Sequence, residues 1–150
     1  MSDIFNYQMA PGYLIRRAHQ VSVALFAAGM ADFDLTPVQF VTLNALMDEP
    51  GEDQITLASK VAFDAATMGA VIGRLENKGL LRRDADSQDK RRKLLSLTPA
   101  GEQMVAHMKT AVEQVQSQIT APLSDAEAQE LTRLLGKLIT GHEADLVTRL

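Results

Sequence analysis

The chain has 150 residues, 46% of them hydrophobic but only 5% aromatic, a formal charge of −4 and no cysteine. That length supports one domain with a real core, and the Leu- and Ala-rich composition favours helices over a β-sandwich. No disulfide frame, thiolate metal site or thiol redox sensor is open to it, and no apolar run reaches the roughly 18–20 residues of a membrane span.

The N-terminus, Met-Ser-Asp-Ile-Phe, lacks a basic region followed by an apolar core, so no signal peptide is expected and the cytoplasm is the expected compartment. A first helix is predicted from near Pro11, with Leu14, Ile15, Ala18, Val21, Ser22 and Leu25 at helical spacing and Gly29 as its stop. Thr36-Pro37-Val38-Gln39 opens the next: Thr as N-cap, Pro in the first turn, Gln closing a capping box. It carries Phe40, Val41, Leu43, Leu46 and Met47, and a loop follows over residues 48–53. A short helix is predicted over 56–62, with Leu57, Ala58 and Val61 inward. Asp64 then caps a helix whose stripe is Met68, Val71, Ile72 and Leu75, and Gly79 suits the left-handed position that ends it, with Leu80 closing the contact beyond. Residues 80–84 and 93–97 are short strand candidates around the turn Asp86-Ser87-Gln88-Asp89. Thr98-Pro99 starts a helix to about Ile119 with Met104, Val105, Met108, Val112 and Val115 on one side. Pro122 breaks it. Ser124-Asp125-Ala126-Glu127 is a capping box for a last helix striped by Leu131, Leu134, Leu135, Leu138 and Ile139, and later Leu146 and Leu150.

Charge is unevenly placed along this plan. Residues 74–93 hold eight of the fifteen Lys and Arg and four acids, a local charge of +4 in a chain whose remainder is −8. An acidic protein with one focused basic element is suited to set that element against a polyanion. A solvated charged hairpin is the plainer alternative. The order of parts favours the first reading: two helices joined by a short turn, residues 56–62 and 65–78, then a basic two-stranded hairpin. One helix of such a unit enters the major groove while the hairpin reaches the adjoining backbone or minor groove. Gln88, Lys90, Arg91 and Arg92 are the candidate contacts at the hairpin tip, where a guanidinium suits a narrow groove of negative potential. Asp89, two residues before Arg91, is placed to orient it, although such pairs are often surface ion pairs of little worth.

Leu57-Ala58, Thr67 through Leu75, Asn77-Lys78-Gly79-Leu80-Leu81-Arg82-Arg83, Asp89-Lys90-Arg91 and Leu97-Thr98-Pro99-Ala100-Gly101 together resemble the MarR family of bacterial winged-helix regulators. The matching blocks lie within 36–102, and the helical flanks fit as well. The resemblance implies a mainly α fold with a small β-wing. Its winged helix-turn-helix module spans 36–98, and dimerisation helices lie at 11–29 and 99–149. It implies a homodimer on a palindromic operator, with residues 65–78 as recognition helix and Arg91 as the wing arginine. One departure matters. Where relatives often carry Ser and Arg early in the recognition helix, this chain has Gly69 and Ala70. Thr67 is then the main polar candidate for base edges, with methyl contacts from Ala66 and Ala70 and close backbone approach at Gly69. Arg74, deeper in the helix, suits the wing or a phosphate.

The Arg16-Arg17-Ala18-His19 run and the 67–75 pattern resemble the subgroup tied to aromatic-acid catabolism, which implies a small aromatic acid or its coenzyme A thioester as effector. Arg16 and His19, at i and i+3, share a helix face and are the candidate carboxylate ligands. A solvated Arg16 and an interface His19 are the plainer alternative. An enzyme is not expected: His19, His107 and His142 are scattered, and no phosphate loop or metal spacing is present, so neither cofactor nor metal is assigned. Two other readings stay open, a helical dimer that docks an acidic protein partner and a DNA binder with no effector. The sequence does not separate repressor from activator, though blocking a promoter is the simpler expectation.

Overall fold

The computed structural model describes residues 6–147, with side chains as far as residue 143. Contacts divide the chain into two compact units, Met1–Val115 and Gln116–Leu150. In order along the chain come a 3-10 turn Tyr7–Met9, α1 (Pro11–Gly29), a second 3-10 turn Ala31–Phe33, α2 (Pro37–Asp48), α3 (Gln54–Lys60), α4 (Ala65–Asn77), β1 (Leu81–Ala85), β2 (Lys93–Leu97), α5 (Pro99–Thr120) and α6 (Asp125–Val147). No single helix among the described residues is long and apolar enough to cross a membrane.

Helix ends follow side-chain chemistry. Thr36 accepts from the backbone of Gln39, and the Gln39 side chain accepts in return from Thr36, the reciprocal box that leaves two fewer orphan N–H groups. Ser124 and Glu127 do the same for α6. At the end of α4, Gly79 (φ 72°) lets its own N–H reach the Glu76 carbonyl and the Leu80 N–H reach that of Leu75, a Schellman closure.

Two expectations are corrected. The short helix begins at Gln54 rather than 56, because Asp53 caps it by accepting from the Thr56 N–H at 2.8 Å. It ends at Lys60, so Val61 is its half-buried cap and only Leu57 and Ala58 are fully inward. In α2 the buried face is Gln39, Thr42, Leu43 and Leu46, while Val41 and Met47 are exposed. Thr42 is admitted to the core because its hydroxyl donates to the Val38 carbonyl at 2.7 Å.

The core of the first unit gathers Phe26 and Met30 from the end of α1, Leu43 and Leu46 of α2, Leu57 of α3, the α4 stripe, Leu81, Leu95, Leu97 and Met108. Burying each large side chain contributes roughly 1.5–3 kcal/mol. The β1–β2 hairpin pairs Leu81 with Leu97 through to Ala85 with Lys93. Its second strand is also tied to the α2–α3 loop: Gly51 N–H donates to the Leu95 carbonyl and Leu95 N–H to that of Glu52, both at 2.8 Å. Gly101 marks where α5 starts against the hairpin, since a Cβ there would meet the Leu80 carbonyl oxygen at 2.0 Å. Most of α1 stays uncovered in the single chain, Leu14, Ile15 and Val21 included. So do Leu131, Leu134, Leu135, Leu138 and Ile139 of α6, between 39% and 55% exposed; the side chains of Leu146 and Leu150 lie outside the described residues.

Candidate nucleic-acid interface

α3 and α4 meet at 103°, inside the range of a helix-turn-helix. Ala62 makes the turn with φ 54°, a left-handed residue that is not glycine. Its N–H reaches the Ser59 carbonyl and that of Phe63 reaches Ala58, again a Schellman closure. Asp64 then caps α4 by accepting from Thr67 N–H at 2.8 Å. Those bonds from the Thr67 end of the first turn hold the Asp64 carboxyl below the usual aspartate range.

At 3.6 residues per turn, the buried stripe Met68, Val71, Ile72 and Leu75 leaves the opposite line to Ala66, Ala70, Gly73 and Asn77. Thr67 and Arg74 flank that line on one side and Gly69 on the other. Ala66, Thr67, Ala70 and Arg74 are exposed, and Gly69 is half-buried. The Arg74 side chain makes no ion pair or hydrogen bond among the described residues, and its carbonyl accepts from Lys78 N–H. Over Gly69 lies a residue that the sequence reading passed by: Gln54, whose Nε2 donates to the Ala65 carbonyl at 2.8 Å.

In the wing, the turn is organised by its own acids. Asp86 accepts from Gln88 N–H at 2.9 Å, and Asp89 from Arg91 N–H at 3.0 Å. Asp89 therefore fixes the main chain at Arg91, not the guanidinium. The side chains of Gln88, Lys90 and Arg91 project into solvent. Arg92 behaves differently from its neighbour. It bonds Asp53 at the start of α3 at 2.7 Å, with Asp86 at 3.9 Å. The carboxyl of Asp53 is held below its usual range, first by its bonds to Thr56 and then by Arg92.

The eight cations of residues 74–93 thus divide evenly. Lys78 pairs with Asp34 at 2.9 Å, Arg82 with Asp84 at 3.2 Å, Arg83 with Glu76 at 3.0 Å, and Arg92 with Asp53. Arg74, Lys90, Arg91 and Lys93 carry no ion pair among the described residues. Three of the first group tie the α1–α2 loop to the end of α4, the wing to α4 and the wing to the start of α3, while Arg82–Asp84 lies within β1; the second group faces outward.

On α1, Arg16 and His19 are both exposed and one turn apart. The Arg16 guanidinium lies 5.5 Å from the centre of the Tyr13 ring, which in turn meets Tyr7 edge-on at 5.4 Å. Two hollows open in the first unit. One, of about 690 Å³, runs between the end of α1, the start of α2 and the last turn of α4; the other, of about 370 Å³, lies between α2 and α5. Neither is lined by Arg16 or His19.

Comparison with known proteins agrees with this geometry. The MarR family model matches residues 35–93. The HTH-type transcriptional repressor NicR of Pseudomonas putida is 32% identical over 132 residues, covering 88% of this chain and 84% of NicR. BpsR of Bordetella bronchiseptica, in a structure concerning regulation of its DNA binding by 6-hydroxynicotinic acid, superposes with a TM-score of 0.86 and 35% identity. That match covers 90% of this chain and 96% of BpsR. The transcriptional repressor CouR, bound to a 23-mer DNA duplex, gives a TM-score of 0.86 at 26% identity, covering 90% of this chain and 96% of CouR. A winged helix-turn-helix with an outward basic tip, matched over nearly its whole length by such regulators, places this chain in the MarR family of DNA-binding transcriptional regulators, which are not enzymes.

Proposed function

We propose that the chain acts as a homodimeric repressor, released from a palindromic operator by a small aromatic acid or its coenzyme A thioester. In this reading α4 lies in the major groove, with Ala66, Thr67, Gly69, Ala70 and Arg74 along it. The wing tip, with Gln88, Lys90 and Arg91, reaches the flanking backbone or minor groove. Arg92 contributes through the placement of that tip. Residues 11–29 and 99–149 form the dimer interface. The open apolar stripes of α1 and α6 support this: five large aliphatic side chains along α6 stay 39–55% exposed in one chain, and a second copy covers them in this reading.

The observation that carries the effector reading is the Tyr13–Arg16–His19 face of α1. An aromatic carboxylate needs its charge paired on leaving water, and Arg16 offers a permanently protonated planar fork beside an aromatic ring. The similarity to BpsR, whose DNA binding 6-hydroxynicotinic acid regulates, supports an aromatic acid as the class. Release follows if the ligand favours a spacing of the two recognition helices other than the ~34 Å between successive major-groove faces.

The test is titration of operator-bound protein with aromatic acids and their thioesters, using wild type, Arg16→Ala and His19→Ala, with sedimentation of the free protein. Release of wild type with loss of release in the variants is expected. Equal release by all three removes these residues from the site; no release by any compound favours an effector-free DNA binder. A folded monomer at micromolar concentration defeats the dimer.

A further inference from the structure

The recognition helix presents almost no side chain to DNA along its outermost line: Ala66, Ala70 and Gly73 carry nothing beyond a methyl. A helix so trimmed seats deep in the groove, which brings the groups on its flanks to the level of the base edges. On the Thr67 side those flanking groups belong to α4 itself. On the Gly69 side the flank is empty, and a residue of another helix occupies it. Gln54, the first residue of α3, extends its amide across the first turn of α4; a Cβ built on Gly69 would lie 3.1 Å from its Nε2.

The amide's orientation is fixed by its partner. The Ala65 carbonyl only accepts, so the atom 2.8 Å from it is the nitrogen. One N–H of Gln54 is thereby used to brace α3 against α4. The second N–H and Oε1 make no other bond among the described residues. An amide with a donor and an acceptor to spare suits the N7 acceptor and N6 amino donor of adenine in the major groove. A Cβ at residue 69 would press on the amide nitrogen and shift it by a few tenths of an ångström, so residue 69 and Gln54 are coupled in position.

We infer that Gln54, delivered over the notch at Gly69, is a specificity-determining residue of this regulator and reads an adenine in the major groove. It takes the part that a polar side chain on the recognition helix itself would otherwise play. The assignment rests on the reading above that α4 lies in the major groove; it concerns base choice and does not depend on any effector.

The experiment selects preferred duplexes from a random-sequence pool with the wild-type protein, then measures affinity for every single-base variant of the selected site. Wild type, Gln54→Ala, Gln54→Glu and Gly69→Ala are compared. Gln54→Ala is expected to abolish discrimination at one A·T pair, a loss of about 5–150-fold for a bidentate contact, while the other positions keep theirs. Gln54→Glu is expected to lose the adenine preference as well, since a carboxylate can donate neither to the Ala65 carbonyl nor to adenine N7. Gly69→Ala removes a helix-interior glycine, so folding is not at risk, and by shifting the amide it is expected to narrow the same preference that Gln54→Ala abolishes. Equal weakening on every sequence marks Gln54 as a brace between helices only and overturns the inference. So does unchanged discrimination in Gln54→Ala.

Discussion

Arg92 and Asp53, 39 residues apart, meet at a single oxygen: Nε lies 2.8 Å and an Nη 2.7 Å from Oδ2 of the aspartate. The other oxygen, Oδ1, caps α3. One carboxylate thus starts the first helix of the reading head and anchors the wing to it. Arg91, the next residue back, has no such partner. Substituting these two neighbours is expected to separate placement from contact. Arg92→Ala loses a half-exposed pair of roughly 0.5–1 kcal/mol and lowers DNA affinity through a looser wing, with little change in salt slope. Arg91→Ala shifts stability by less than about 0.5 kcal/mol and lowers the salt slope by about one unit, as one phosphate contact is lost. Denaturant melts and binding at several salt concentrations check both. Identical profiles for the two variants would sink the distinction.

Acid should loosen the reading head from its helix starts. Asp53 is held below the usual aspartate range first by the Thr56 N–H that it caps, and Asp64 first by the Thr67 side chain and then by the Thr67 N–H. A depressed folded value means that the unfolded chain takes up the proton first. The caps therefore contribute in full above the unfolded value of about 3.9, and the contribution is lost as pH falls through the lower folded values. Asparagine caps without titrating in this range. Asp64→Asn is expected to flatten the fall in melting temperature below pH 4 relative to wild type. An unchanged pH profile in the variant would remove the cap from the acid response.

Gly101→Ala should be among the most damaging single-methyl additions. The new carbon would lie 2.0 Å from the Leu80 carbonyl oxygen, a backbone atom that cannot swing aside. Overpacking of this kind costs typically 1–3 kcal/mol or more. The measurement is the denaturant midpoint. A variant as stable as wild type would mean that the start of α5 is not pressed against the hairpin.

Ala62→Gly should do the reverse. Ala62 sits at φ 54° in the turn between α3 and α4, where an L side chain costs roughly 1–2 kcal/mol. Glycine removes that strain and adds some unfolded-state entropy, for a net gain of about 0.5–1 kcal/mol. A higher melting temperature with unchanged operator affinity is the expected result. A lower one would show that the turn relies on the alanine methyl.

What the sequence disclosed was chiefly local. Thr36, Asp64, Gly79 and Ser124 mark helix ends through bonds that span three to five residues, so their positions are readable from the chain alone. α3 starts at Gln54 because Asp53, which the sequence leaves in the loop over 48–53, caps it; the same carboxylate is also held by Arg92, 39 residues away. Arg91 and Arg92 are indistinguishable as letters, and only the fold assigns one outward and the other to Asp53. Gln54 carried no signal, since its importance depends on an empty position, Gly69, in a different helix. The small residues of α4 were legible as a departure from the resembling family, but not what lies beside them.

The even division of the cations between internal pairs and open solvent bears on how the regulator finds its site. Binding to random DNA grows with the number of phosphates neutralised, each adding about 0.9 to the salt slope. A segment of eight positive charges offers only Arg74, Lys90, Arg91 and Lys93 for that purpose, on a chain that is otherwise acidic. Off-target duplex is therefore expected to hold the protein only briefly, so that most of it stays free to reach a cognate site.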